Sequence, residues 1–320
     1  MTPHLYVARL LTDPVMHELE RLPLPTTVGR DEPPSREELL AGVRGAAGAI
    51  VTLTERIADE FFDAAGAGLK VVANVAVGYD NIDVHEAARR GVIVTNTPGV
   101  LDNATADHTF AMILAIARRV AEADRFARTG ASWVWGPRML VGLDVSAGAT
   151  LGIVGYGRIG RAVAQRARAF GMRILAHDAR PVPNPGEDVT LVDLPTLLAE
   201  SDVVTLHVPL LPDTRHLIDS AAIELMKPGA YLVNAARGGV VDEAALVTAL
   251  RTGRLAGAAL DTFEGEPRIN PDLIALENTL LQPHIASAGS RTRDAMCRLA
   301  VRNVTRVLAG EDPETPVAPA

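Results

Sequence analysis

Over residues 1–96, short apolar runs alternate with stretches whose apolar positions recur every three or four residues. Runs at Leu5–Ala8, Ala49–Leu53, Val71–Ala76 and Val92–Thr95 predict strands, with a weaker one near Thr26–Val28. Pro14–Arg21, Ser35–Leu40, Asp59–Ala65 and Val84–Arg89 read as helices, several opening on a serine or an acid that can cap a first turn. Such alternation makes a parallel sheet covered on both faces. Thr97, Pro98 and Gly99 break the pattern and mark a crossing into a second domain. A single long helix is expected from about Asn103 to Arg128, striped by Phe110, Ile113, Leu114, Ala117 and Val120.

The strongest pattern lies at 149–178. A β-branched apolar run, Thr150–Val154, stops at Gly155, and Gly157 and Gly160 complete G-x-G-x-x-G. A helical face follows through Ile159, Ala162, Val163, Ala167 and Phe170, then a second strand, Met172–Ala176, and an acid, Asp178. In such a unit the glycines permit a tight turn, close approach of a pyrophosphate and tight helix packing. The helix N-terminus offers unpaired N–H groups to the phosphates, and Asp178 can accept from ribose hydroxyls. This is a dinucleotide site. Further strands at Val203–Val208, Ala230–Ala235, Ala256–Leu260 and Thr279–Leu281 bring the total to six, the count of a doubly wound dinucleotide domain. Leu197–Glu200, Ser220–Met226 and Glu243–Arg251 read as its helices.

A last helix, Ser290–Leu308, is placed back on the first domain, which lacks a covering helix at its end, and the proline-bearing tail from Glu311 is expected to lie extended at the surface. The fold class is thus α/β: a Rossmann domain at 99–285 and a smaller, discontinuous, flavodoxin-like domain at 1–98 and 286–320, hinged at two crossings.

A net charge of −8 argues against nucleic acid or acidic membranes as partners. The single cysteine, Cys297, excludes an intrachain disulfide and a cysteine-rich metal site. No apolar stretch is long enough to span a bilayer, so a cytoplasmic protein is expected. Both tryptophans, Trp133 and Trp135, fall in one Gly/Pro-bearing segment, Ser132–Leu143, which suggests a subunit interface or a core anchor.

Chemistry-bearing residues gather at strand ends, where open α/β sheets bind ligands. In the first domain, Leu53–Glu55 and Val77–Asp80 follow strands, and the N–H groups around Gly78 can face a carboxylate. In the second, Arg237 follows YLVNAA, Glu266 lies in EGEP and His284 follows LLQP. An arginine can grip a carboxylate through two parallel hydrogen bonds, and a histidine can pass a proton.

With VAVGYDNID at 75–83, NATAD at 103–107, TLGIVGYGRIG at 150–160, HVPLLPDTRHLI at 207–218, NAARGGVVDE at 234–243, ALDTFEGEP at 259–267 and QPHIAS at 282–287, the chain resembles the D-isomer-specific 2-hydroxyacid dehydrogenases over nearly its whole length. The resemblance implies reduction of a 2-keto acid, with Arg237 holding its carboxylate and carbonyl, His284 giving the proton and Glu266 favouring the imidazolium. It also implies an obligate homodimer. Cofactor contacts are implied at Gly155, Tyr156, Gly157, Arg158, Ile159, Gly160, Asp178, Val208, Pro209, Thr214, Ala235, Ala236, Asp261 and Thr105. Substrate contacts are implied at Leu53, Val77, Gly78, Arg237 and Ser287, with Trp135 supplied by the neighbouring subunit. Leu53, Trp135 and Ser287 resemble the small pocket of glyoxylate and hydroxypyruvate reductases. Asp178 favours NAD(H), while Arg180 leaves NADP(H) open. Phosphoglycerate, D-lactate or phosphite chemistry, and an NADH-sensing corepressor, are the alternatives.

Overall fold

The apolar runs of the first hundred residues form parallel strands β1 (His4–Val7), β2 (Thr26–Val28), β3 (Ala46–Val51), β4 (Val71–Asn74) and β5 (Ile93–Thr95). Helices α1 (Asp13–Leu19), α2 (Arg36–Gly42), α3 (Asp59–Ala65) and α4 (Val84–Arg89) lie between them. The ends of these helices follow from side-chain chemistry. Ser35 and Glu38 form a reciprocal capping box at the start of α2, and Asp83 caps α4 through the Glu86 amide. Every residue of β3 and β4 is buried, as a sheet covered on both faces requires.

The computed structural model describes residues 4–319, and the chain divides into two compact units: the residues up to Leu101 with those from Ala288 on, and Asp102–Ser287. The second unit opens with α5 (Asp102–Ala117) and α6 (Val120–Arg128). It continues through β6 (Thr150–Val154), α7 (Arg158–Ala169), β7 (Arg173–His177), β8 (Val189–Leu191), α8 (Leu194–Glu200) and β9 (Val203–Leu206). Helix α9 (Ser220–Leu225), β10 (Ala230–Asn234), α10 (Glu243–Arg251), β11 (Leu255–Leu260), α11 (Pro271–Ile274) and β12 (Thr279–Leu281) complete it. Helix α12 (Ser290–Leu308) and β13 (Pro316–Val317) return to the first unit.

The second sheet runs β12-β11-β10-β9-β6-β7-β8, all parallel, with crossovers leaving β6 and β9 in opposite directions. One face buries Phe110, Ile113, Leu151, Ile153 and Val163; the other buries Leu197, Leu206, Ile223, Leu232 and Leu246. The first sheet runs β13-β5-β4-β3-β1-β2, the flavodoxin-like order, with Phe61, Phe62, Ile57 and Val72 in the core of one face and α12 packed on β3 and β4. Both are α/β, the second a Rossmann domain.

Three expectations change. The single helix over 103–128 is two, because Arg119 takes a left-handed backbone (φ 53°) and the returning chain donates Leu143 N–H to Ala117 C=O at 2.8 Å. Val120, expected in the buried stripe, is therefore 55% exposed. The sheet has seven strands from Thr150 to Leu281, not six, since β8 is a three-residue edge strand with two exposed residues, too short to stand apart from the helix that follows it. The tail is not merely extended at the surface: β13 pairs antiparallel with β5. Asn303, fully buried on α12, holds it there, accepting from Glu314 N (2.8 Å) and Thr315 N (3.2 Å) and donating to Thr315 Oγ1 (2.8 Å).

No described helix is long and apolar enough to cross a membrane, and no described cluster of three or more His, Cys, Asp or Glu side chains is arranged to hold a metal ion. Asn303→Ala leaves those amides without an acceptor and is expected to lower unfolding free energy by about 1–3 kcal/mol in urea denaturation.

Candidate active site

The turn from β6 into α7 is built by the three glycines for three different reasons. Gly155 has φ 93°, and a Cβ there would lie 2.6 Å from the His207 carbonyl carbon. A Cβ on Gly160 would lie 2.3 Å from Gly155 O, so the helix packs against the turn only without one. Gly157 is different. It caps α7 with an ordinary φ of −79°, and a Cβ there would meet nothing within 4 Å. Neither sterics nor strain within the protein calls for glycine here, which fits a site kept open for a ligand's phosphates at a helix N-terminus. No side chain caps that terminus.

Asp178, just past β7, accepts from Tyr156 N and Arg180 N, both at 2.9 Å. Its carboxylate is thereby fixed beside the glycine turn, with the exposed Arg180 guanidinium 3.8 Å away. Tyr156 is buried beneath, its hydroxyl donating to Pro185 O at 2.9 Å with Arg161 4.9 Å over its ring. Arg158 is exposed and Ile159 partly buried at the start of α7, while Thr105 is buried on α5. These groups fit a dinucleotide: a helix N-terminus, an open glycine and a fixed acid beyond the next strand.

At the ends of β10, β11 and β12 the structure brings Arg237, Glu266 and His284 onto one edge of the second unit. Asn234, buried at the end of β10, accepts from Ala236 N (3.0 Å) and donates to Arg237 O (2.8 Å), so it folds the Ala235–Arg237 turn. Gly238 then permits Phe263 to pass, since a Cβ would lie 1.9 Å from the Phe263 carbonyl carbon. Glu266 accepts from Phe263 N at 2.9 Å through Oε1, and its Oε2 lies 2.9 Å from His284 Nδ1. Burial opposes charge on Glu266, but the hydrogen bond and charge of His284, the Phe263 amide and Arg237 outweigh it and hold the carboxyl below its ordinary value. His284 itself takes a left-handed backbone, φ 56°, a region that histidine enters more readily than most non-glycine residues.

Asp261 is fully buried at the end of β11, and its two oxygens accept from Ile285 N (2.8 Å) and Ala286 N (2.7 Å), anchoring the residues that follow His284. Burial pushes its carboxyl upward against those hydrogen bonds. Next to the glycine turn, burial lowers His207 to about 4, so its ring is neutral, with Nε2 3.1 Å from Thr205 Oγ1. Val208 and the exposed Pro209 follow, and Thr214 closes this loop on itself by donating to Pro209 O at 2.6 Å. Ser287 is partly buried at the end of the second unit.

In the first unit, Leu53 lies in a turn beyond β3, and Val77 and Gly78 lie beyond β4. Asn74 donates to Gly78 O (2.9 Å) and Asn81 Oδ1 (3.0 Å), and Asn81 donates to Thr52 O (2.9 Å), so the two loops form one body. Trp133 and Trp135 are 61% and 76% exposed, and so do not anchor a core. Sequence reasoning missed Asn234, Asn74, Asn81 and Glu243, whose bonds join loops rather than mark a periodic face; a buried amide or acid at a strand or helix end is the only local sign.

Residues 110–286 match the family described as D-isomer specific 2-hydroxyacid dehydrogenase, NAD binding domain. The chain is similar to a glyoxylate reductase of Thermococcus onnurineus, 50% identical over 288 residues that cover 88% of this chain and 85% of that protein. The chain belongs to this family. Among solved structures it resembles the TT0316 protein of Thermus thermophilus (46% identity, TM-score 0.92, covering 98% of this chain and 100% of that one). It also resembles an NADPH-dependent glyoxylate/hydroxypyruvate reductase of Sinorhizobium meliloti in complex with NADP and malonate (34% identity, TM-score 0.87, 99% and 97% covered). The glycine turn, Arg237, Glu266 and His284 all fall within the stretch matched as the dehydrogenase family's NAD-binding domain. Because the space at Gly157 is open, Gly157→Val is expected to leave the melting temperature within a few degrees. It should raise the NADH dissociation constant by about tenfold or more, read by fluorescence quenching.

Proposed function

We propose that this dehydrogenase reduces a small 2-keto acid, glyoxylate or hydroxypyruvate, to the D-2-hydroxy acid, using NADH in preference to NADPH. The observation that carries the chemistry is the pairing of His284 Nδ1 with Glu266 Oε2 at 2.9 Å. It commits one imidazole nitrogen to a carboxylate and leaves Nε2 to meet a substrate oxygen. The substrate class is supported by the glyoxylate reductase names of the similar proteins and by Arg237 on the same edge.

Bound NADH supplies the hydride for the carbonyl carbon. His284 gives its proton to the carbonyl oxygen and stabilises the charge that develops there. Glu266, whose pKa is lowered, is ionised at neutral pH and balances the imidazolium. Arg237 binds the substrate carboxylate through two parallel hydrogen bonds and so turns the carbonyl toward its reaction partners. Asp178 accepts from the free ribose hydroxyls of NADH, whereas a 2′-phosphate would set like charges together; Arg180, 3.8 Å from it, softens that repulsion. A homodimer fits the exposed Trp133, Val134, Trp135 and Val141, a run of large apolar side chains that a second copy would cover.

Nicotinamide absorbance with glyoxylate, hydroxypyruvate, pyruvate and phenylpyruvate, and phosphite with NAD⁺, tests the reading. A higher kcat/KM with NADH than NADPH is expected, and His284→Ala should lower kcat by roughly 10²–10⁴-fold. No turnover of any keto acid would overturn the assignment and favour a nicotinamide sensor. Trp135→Ala is expected to raise KM for hydroxypyruvate in a protein that stays dimeric by light scattering; unchanged kinetics would remove Trp135 from the pocket.

A further inference from the structure

Glu266 can act on His284 only if the short segment that carries it, Phe263–Glu266, is held still. Its bond from Phe263 N is internal to the segment and moves with it. Gly238 provides a wall, because the Phe263 carbonyl and the Glu264 amide pass within the space a Cβ would need there, but a repulsive contact limits movement in one direction only. The Glu264 side chain points to exposed partners, with Oε1 2.7 Å from His216 Nε2 and 3.7 Å from Arg215, and solvent screens such pairs until they contribute little.

Phe263 buries its ring in the core and fixes the start of the segment, but a directional polar anchor for the exposed part beyond it comes from elsewhere. Glu243, the first residue of α10, is only 8% exposed, and its Oε1 accepts the Glu264 N–H at 2.7 Å across 21 residues of chain. A buried carboxylate accepting from a backbone amide makes a short, strong and directional bond. The start of α10 also favours its negative charge, and Asp242 before it already caps the helix through Ala244 N and Ala245 N. Glu243 is therefore not required as the helix cap.

We propose that Glu243 is a positioning residue for the reaction, holding the Phe263–Glu266 segment so that the Glu266 carboxylate stands against Nδ1 of His284. The proposal rests on the assignment of His284 and Glu266 as the proton-donating pair. Loss of the Glu243 bond lets the segment drift, and displacements near 1 Å at a reacting pair can cost about a hundredfold in rate. The imidazolium of His284 is faced by Glu266 and by the buried Asp261, with Arg237 acting on Glu266 and His108 3.8 Å from Asp261. Of these carboxylates, only Glu266 lies on the segment that Glu243 holds.

Three variants separate positioning from bulk stability. Glu243→Gln keeps an acceptor oxygen at the same reach, Glu243→Asp withdraws it by about 1.5 Å, and Glu243→Ala removes it. Glu243→Asp and Glu243→Ala are expected to lower kcat by about 10–100-fold, with the NADH dissociation constant within about twofold of the parent enzyme. KM for the keto acid should change far less than kcat, because Arg237, which grips the carboxylate, lies outside the segment that Glu243 holds. Glu243→Gln should restore kcat to within about threefold. If Glu243→Ala does not fold, the Asp and Gln variants decide the matter alone. A fall in melting temperature with kcat unmoved would overturn the proposal, as would Glu243→Gln as impaired as Glu243→Asp. His284→Ala measured alongside keeps the two assignments apart. If it stays active, the proposed chemistry fails; if it is inactive while Glu243→Asp and Glu243→Ala behave as the parent, only the role of Glu243 fails.

Discussion

Parallel strands can be joined only by crossovers, and in the second unit the crossovers from β6 and β9 leave in opposite directions. The chain connections therefore part at one point of the sheet's carboxyl edge. The glycine turn stands on one side of that point and the His207–Thr214 loop on the other, with Arg237, Glu266 and His284 beyond successive strands of the same edge. Each of these residues follows a strand packed in a core with helices on both faces, so the sheet sets their spacing before any contact between their side chains forms.

Along that edge the loops are held by acids receiving backbone N–H groups. Asp178 receives Tyr156 and Arg180, Asp261 receives Ile285 and Ala286, Glu266 receives Phe263, and Glu243 receives Glu264. The first unit uses the same device, with Glu55 accepting from Thr52 N at 2.6 Å. Burying a carboxylate is costly unless donors surround it, and an amide that must turn away from a strand supplies one. At Asp261, Glu243 and Glu55, which are buried, such a pair satisfies a loop amide and a buried charge together. With lysine present only at Lys70 and Lys227, the cations of the protein are nearly all arginines, and these form most of the ion pairs nearer the surface.

Much of this was legible in the sequence because buried parallel strands need continuous apolar runs. Thr150–Val154 and Val203–Leu206 announce themselves, and the residues just beyond such runs must lie at the sheet edge. That is why Arg237, Glu266 and His284 could be picked out by position. Arg119 could not: its left-handed backbone depends on Leu143 reaching Ala117, a contact with no local signature. Strand β8 is only three residues long and lies just before a helix, and the seat of β13 depends on Asn303, a polar residue that draws no notice in an amphipathic helix. Glu243 is hidden for the same reason, since an acid in a first helical turn already has an ordinary explanation in the helix dipole.

The tail that Asn303 seats has a consequence for how the molecule comes into being. The first unit begins at the amino end of the chain, yet α12, which covers β3 and β4, and β13, which closes its sheet, are translated only after the entire second unit. Until then Gly48, whose missing Cβ would sit 2.8 Å from a Val304 methyl, has an uncovered face beside it. The Rossmann domain, by contrast, is uninterrupted from Asp102 to Ser287 and has all its strands before α12 is made. Synthesis thus delivers a complete cofactor domain first, with the amino-terminal sheet finished last by a helix that begins more than two hundred residues after the strands it protects.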